Sequence, residues 1–191
     1  MVAILACYIG EQGEEIVRPL KEFGPPVMDV IQPMPYVNAQ SLVDESFPKG
    51  RHNYWKSHLL RELRDDAIDA LVEGFQAVAS PYSSILIEQL GGAMSRVSED
   101  ETAFPHRDAA YDVVIMPMWT EAAESEQHIQ WADELWQATQ PSSSGGVYVN
   151  YLSNEGGERI KAAYGINYER LVALKHQYDP LNLFRFNQNI Q

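Results

Sequence analysis

Two segments put a polar side chain where an apolar pattern calls for carbon, and a third carries an Asn-Tyr pair; each is a place where chemistry could sit. In Tyr111–Met118 (YDVVIMPM), alternation sets Asp112 on the same face as Val114, Met116 and Met118. A carboxyl desolvated by such neighbours keeps its proton to higher pH, and can then act as a base or hold another base in place. The bland alternative is a strand-end aspartate that reaches water. Further along, Ile160, Tyr164, Asn167, Leu171, Leu174 and Tyr178 recur at spacings of four and three, which is one stripe of a helix. Asn167 is an amide in that stripe. Buried without partners it would cost about 1–3 kcal/mol, so it either caps a break near Gly165 or hydrogen-bonds something outside the chain. In VYVNY (147–151), a strand would place Val147, Val149 and Tyr151 on one face and Tyr148 and Asn150 on the other. A tyrosine at a strand end is ordinarily packing. Phe104-Pro105-His106-Arg107 is a compact turn carrying a cation, and alone says little.

Several chemistries are excluded. The five histidines (52, 58, 106, 128 and 176) show no ligand-type pairing with one another or with Cys7, so no metal site is expected. No G-x-S-x-G elbow, G-x-G-x-x-G turn or P-loop is present, so the chain carries no self-contained nucleotide cradle.

The elements that would position these residues alternate between two periods. Residues 2–9 and 27–32 read as strands flanking a helix at about 12–23, which Gly24-Pro25-Pro26 stops. Strands follow at 54–61, 84–90, 93–97, 110–118 and 147–151. Helices are predicted from Asp65 to about 79, over 121–140 with Ile129, Ala132, Leu135 and Trp136 inward, and over 155–178. Strands joined partly by short turns and partly by helices imply an α+β fold, an antiparallel β-sheet covered by helices on one face.

With 191 residues, 45% of them hydrophobic and 4 Trp, 10 Tyr and 6 Phe among them, the chain can bury a core. Its 27 acidic and 14 basic side chains give a net charge of −13, which repels phosphate backbones and anionic lipid. Nucleic acid and membrane surfaces are therefore not expected partners. One cysteine, no apolar run of membrane length and a start without a basic leader region suit a cytoplasmic address.

The segment GGVYVNYLSNEG followed by AAYGINYERLVALKHQYDPLNLFRFNQNI resembles the C-terminal signature of the berberine-bridge-type, FAD-linked oxidoreductases. The matched positions are Asn150-Tyr151, Tyr164-Gly165-Ile166-Asn167, Arg170-Leu171, Lys175 and Asp179-Pro180-Leu181-Asn182-Leu183-Phe184. Upstream, the Gly91-Gly92 pair, the Pro105-His106-Arg107 turn and the strand ending in Trp119 are also similar to that family. The resemblance implies a substrate-binding α+β domain over residues 1–145 and a segment 146–191 that returns to a flavin domain. That domain is not in this sequence, which has no Arg-x-Gly-Gly-His segment for linking the flavin. The resemblance also sets Asn150, Tyr164, Gly165 and Asn167 against FAD, makes Tyr151 the residue that deprotonates the substrate, and makes Asp112 its assistant or replacement. Tyr36, Tyr54 and Trp55 would line a pocket for a small molecule such as a sugar, an alcohol or a natural product. The competing reading is a free-standing, non-catalytic domain that binds a small molecule or pairs with a second copy through its exposed sheet or tail.

Overall fold

The chain divides into two compact units, residues 1–49 and 50–191. The structure, a computed structural model, describes every residue except Asn154 and Asn187. The first unit holds α1 (Gly13–Glu22) and α2 (Tyr36–Ala39). Glu14 and Glu15 open α1 and Lys21 closes it, each on the side the helix dipole favours. Lys21 also reaches Asp29 at 3.1 Å, folding residues 24–31 back on the helix. Residues 2–9 and 27–32, expected as strands, form neither strand nor helix. Their β-branched content favours extended backbone, but a strand needs a neighbouring ladder, and this unit contains none.

The second unit is α+β. Its main sheet has the order β2-β4-β3, all antiparallel: β2 (Lys56–Leu60) and β3 (Ser84–Gln89) flank β4 (Tyr111–Met116). A small ribbon pairs β1 (His52–Asn53) with β5 (Met118–Trp119). The expected strand 110–118 is thus broken at Pro117, which has no N–H to give a ladder. Residues 93–97 make one 3-10 turn (Met94–Arg96) instead of a strand. Gly91 and Gly92 lead into it with φ of 136° and 59°, and the Met94 N–H is already committed to the Gly91 carbonyl.

Alternation decides what each sheet face meets. Val113 and Ile115 of β4, with Leu60 and Ile85 beside them, pack on α3 (Asp65–Gln76) and α4 (Ser125–Thr139) through Ala67, Leu71, Trp131, Ala132 and Leu135. The helices approach closely at Gly74, whose carbonyl accepts the Trp131 indole N–H at 2.8 Å. A Cβ there would lie 2.6 Å from Leu135 Cδ1. Gly74→Ala regains about 1 kcal/mol of helix propensity but overpacks the contact at about 1–3 kcal/mol. The expected result is a net loss of about 1 kcal/mol, read as a lower urea midpoint with an unchanged slope.

The C-terminal part also departs from expectation. Residues 147–151 are not a strand; Val149–Tyr151 form a 3-10 turn, with Tyr151 N–H donating to the Tyr148 carbonyl at 2.9 Å. The long final helix is two, α5 (Gly157–Tyr164) and α6 (Tyr168–Tyr178), separated by a 3-10 turn at Gly165–Asn167. Gly165 has φ 45°, a value that breaks a helix and suits glycine. Residues 146–191 belong to the same compact unit as the sheet.

Candidate functional site

The sheet face opposite α3 and α4 brings together two carboxyl groups and a tyrosine. Register places Asp112 directly between Leu59 of β2 and Glu88 of β3, and Val114 between Ser57 and Leu86. Side chains directly opposite one another share a face, so Asp112 and Glu88 are two carboxylates side by side on one wall. Asp112 is 1% exposed, and its Oδ1 has no hydrogen-bond partner. Burial, then the Glu88 charge, push its carboxyl up to about 7, with the Ser57 side chain pulling the other way. Alternation had assigned Asp112 to this face, and here it stays.

Tyr151 comes to the same wall from the 3-10 turn. Its hydroxyl donates to Glu88 Oε2 at 3.0 Å. Burial first, and the Glu88 carboxylate second, raise its pKa above the ordinary tyrosine value. At neutral pH Tyr151 is therefore a proton donor to Glu88 and not a phenolate. Because the segment is a turn, Tyr148 and Tyr151 do not point to opposite faces as a strand would require. Their rings meet edge-on at 5.4 Å. Trp55 stands 5.8 Å from Tyr151 on the other side, and Phe104 meets Tyr148 edge-on at 5.7 Å. Asn150 is exposed and gives one N–H to the Tyr148 hydroxyl at 2.8 Å.

The C-terminal segment is tied to the sheet that it faces. The Leu59 N–H donates to the Gly146 carbonyl at 3.4 Å, and the Ser144 N–H to the Leu59 carbonyl at 2.8 Å. Ser153 donates to the Trp55 carbonyl at 3.1 Å. Glu155 takes Arg159 at 3.3 Å and Lys56 at 3.8 Å, and Lys56 also pairs with Asp133 of α4 at 3.3 Å.

The remaining expected site residues fall in different places. Asn167 is 4% exposed and donates to the backbone carbonyls of Glu99 and Thr102 at 2.7 and 3.0 Å. Its amide N–H groups hold a loop of this chain and are not aimed at an outside group. Gly165 is exposed and has Pro105 on one side, whose Cγ would stand 3.1 Å from an added Cβ. Tyr164 is half-buried, and burial raises its pKa. Trp55 lines the wall, but Tyr54 does not. Between β1 and β2, it packs on the helix side and donates to Asp133 at 3.1 Å. Tyr36 lies in the first unit and is 72% exposed. Glu88 was missed. In SILIEQL it reads as one more polar residue, and only the β3–β4 register shows that it faces Asp112. Among the described residues no cluster of three or more His, Cys, Asp or Glu could hold a metal ion, and no helix is long and apolar enough to cross a membrane.

Residues 147–191, the stretch that delivers Tyr151 to the wall, match the family model described as berberine and berberine like. That segment is a domain of this family. An FAD-linked oxidoreductase of Dictyostelium discoideum is 30% identical over the whole chain, which spans 42% of that relative. Berberine bridge enzyme-like C-1 of Nicotiana tabacum is 30% identical over 74% of the chain, which spans 30% of it. A berberine-bridge-enzyme-like structure from Arabidopsis thaliana superimposes on 96% of the chain with a TM-score of 0.77 at 22% identity, and the chain spans 45% of it. That likeness shows the α+β fold of the family. The chain thus spans 30–45% of the length of these relatives.

Proposed function

We propose that this chain is the C-terminal, substrate-binding part of an FAD-dependent oxidoreductase, and that the Tyr151–Glu88–Asp112 wall handles the proton of a small-molecule alcohol or sugar. The observation that carries this reading is the Tyr151 hydroxyl donating to Glu88, with a buried, unpartnered Asp112 oxygen beside it. FAD, when bound, would supply the redox chemistry as the hydride acceptor. Proton management falls to this chain. A substrate hydroxyl placed against Tyr151 gives its proton to Oη as the Tyr151 proton passes to Glu88 Oε2. One O–H bond breaks at each donor and one forms at each acceptor, so Tyr151 stays neutral, Glu88 loses its negative charge, and the electron pair left on the substrate oxygen becomes the second bond of the carbonyl as the C–H hydride is lost. Asp112, sealed from water, does not touch the substrate. It stands beside Glu88 in the register of β3 and β4.

The side chains fit one end of FAD. The exposed Asn150 amide, with N–H left over after its bond to Tyr148, and the half-buried Tyr148 and Tyr164 suit the polar edge of an isoalloxazine ring. Nothing comparable suits the pyrophosphate: the chain is strongly acidic and carries no G-x-G-x-x-G turn or P-loop. This division supports a flavin domain as partner. The bare Leu181, Leu183, Phe184 and Phe186, 68–92% exposed, offer apolar surface for it to cover.

The test is a chimera in which these 191 residues replace the corresponding stretch of the Dictyostelium relative. Stoichiometric FAD absorbance in the purified chimera is the expected result. A folded, colourless protein that stays colourless with added FAD would overturn the reading and favour the non-catalytic binding or dimerising domain.

A further inference from the structure

The Phe104-Pro105-His106 turn, silent as a sequence motif, is wedged into the C-terminal segment at three points. His106 Nε2 lies 2.9 Å from the carbonyl of Ala162, in the last turn of α5. That carbonyl is among the four a helix leaves without an internal partner, so Nε2 carries the proton and donates. On a second side the ring abuts Gly146, where an added Cβ would sit 2.6 Å from Cε1 and Nδ1. On a third, Pro105 fills the hollow left by Gly165. Upstream and downstream of the tyrosine turn, the backbone is thus seated on one imidazole ring. From this ring an unbroken row of edge contacts leads to the wall. Phe104 meets His106 at 5.6 Å and Tyr148 at 5.7 Å; Tyr148 meets Tyr151 at 5.4 Å.

We infer that His106 is a positioning residue, whose ring, held between Gly146 and the end of α5, sets where the 147–151 turn lies and so brings the Tyr151 hydroxyl onto Glu88. The inference rests on the proposed role of that hydroxyl for its functional meaning, but its geometry can be tested in the 191-residue chain without flavin or turnover. Tyr151 reports its own placement: seated, it donates to Glu88 and resists deprotonation; displaced into water, it titrates as a free phenol near pH 10.

The experiment follows the Tyr151 ring resonance by NMR through an alkaline titration, assigned by its loss in Tyr151→Phe. In the wild type no titration is expected near pH 10. His106→Ala should bring the resonance back into that ordinary range, and His106→Gln, whose amide can still donate toward Ala162, should restore much of the wild-type behaviour. Gly146→Ala pushes on the ring from the other side and should act like His106→Ala. Combining it with His106→Ala, which vacates the space, should add no further shift, and this pair decides the matter should the histidine variant alone fold poorly. A folded His106→Ala chain whose Tyr151 titration matches the wild type would overturn the inference. It would leave the oxidoreductase reading standing, because that reading falls on the FAD chimera instead.

Discussion

Glu88→Gln, introduced into the FAD-loaded chimera, should slow flavin reduction by about 10²-fold or more. Tyr151→Phe should do about the same. The glutamine keeps an oxygen that accepts the Tyr151 O–H, so the wall retains its shape, but an amide cannot take up the proton that arrives. The phenylalanine keeps the ring contacts with Trp55 and Tyr148 and removes the hydroxyl through which the proton passes. Members of one relay act as a unit, so the double variant should be little slower than either single one. Stopped-flow reduction without oxygen, with a substrate found by screening neutral sugars and alcohols, reads the step directly. A tyrosine acting alone as a phenolate base makes the opposite forecast: loss of the neighbouring negative charge would ease Tyr151 ionisation, and Glu88→Gln would be neutral or faster. An unchanged or accelerated rate in Glu88→Gln would remove the glutamate from the mechanism.

Much of this site could be read before any coordinates, and the portions that could not share a cause. Asp112 was assigned to its face by the two-residue period of a strand, which depends on no other part of the chain. The same period in Tyr54-Trp55-Lys56-Ser57 sends Tyr54 to the helix side and Trp55 to the wall, yet composition alone makes both look like pocket aromatics. Glu88 required the register of two strands separated by more than twenty residues, and nothing local encodes that pairing. The VYVNY segment has the β-branched and aromatic content of a strand, but its backbone bonds to the β2 edge stop with Ser144 and Gly146 at Leu59, and Val149–Tyr151 close their own 3-10 turn. Residues 2–9 and 27–32 lie in a unit that offers no strand to pair with. Asn167 is subtler. Its burial was legible from the helical stripe, and so was the need for partners. That those partners are carbonyls of Glu99 and Thr102, roughly seventy residues upstream, was not.

Asp112 also sets a cost on the fold that pH can reveal. Its carboxyl ordinarily titrates at 3.8, and in the folded chain burial and Glu88 lift it to about 7. Between these values the unfolded chain has released the proton that the folded chain retains, so stability falls as pH rises across this window and the loss is complete above it. The difference is worth up to about 4 kcal/mol. Two histidines act in the opposite sense. Burial holds His58 down to about 4 and lowers His106 as well, so the unfolded chain binds protons there that the folded one refuses, and stability rises with pH toward the ordinary histidine value. The wild-type profile therefore blends opposing slopes and can look nearly flat. Asp112→Asn deletes one slope and leaves the others. Urea unfolding at about pH 4 and about pH 8 should show the variant gaining little or nothing at the lower value and a few kcal/mol at the higher. An equal change at both would mean that the asparagine alters packing alone, and that no carboxylate is being held neutral on this wall.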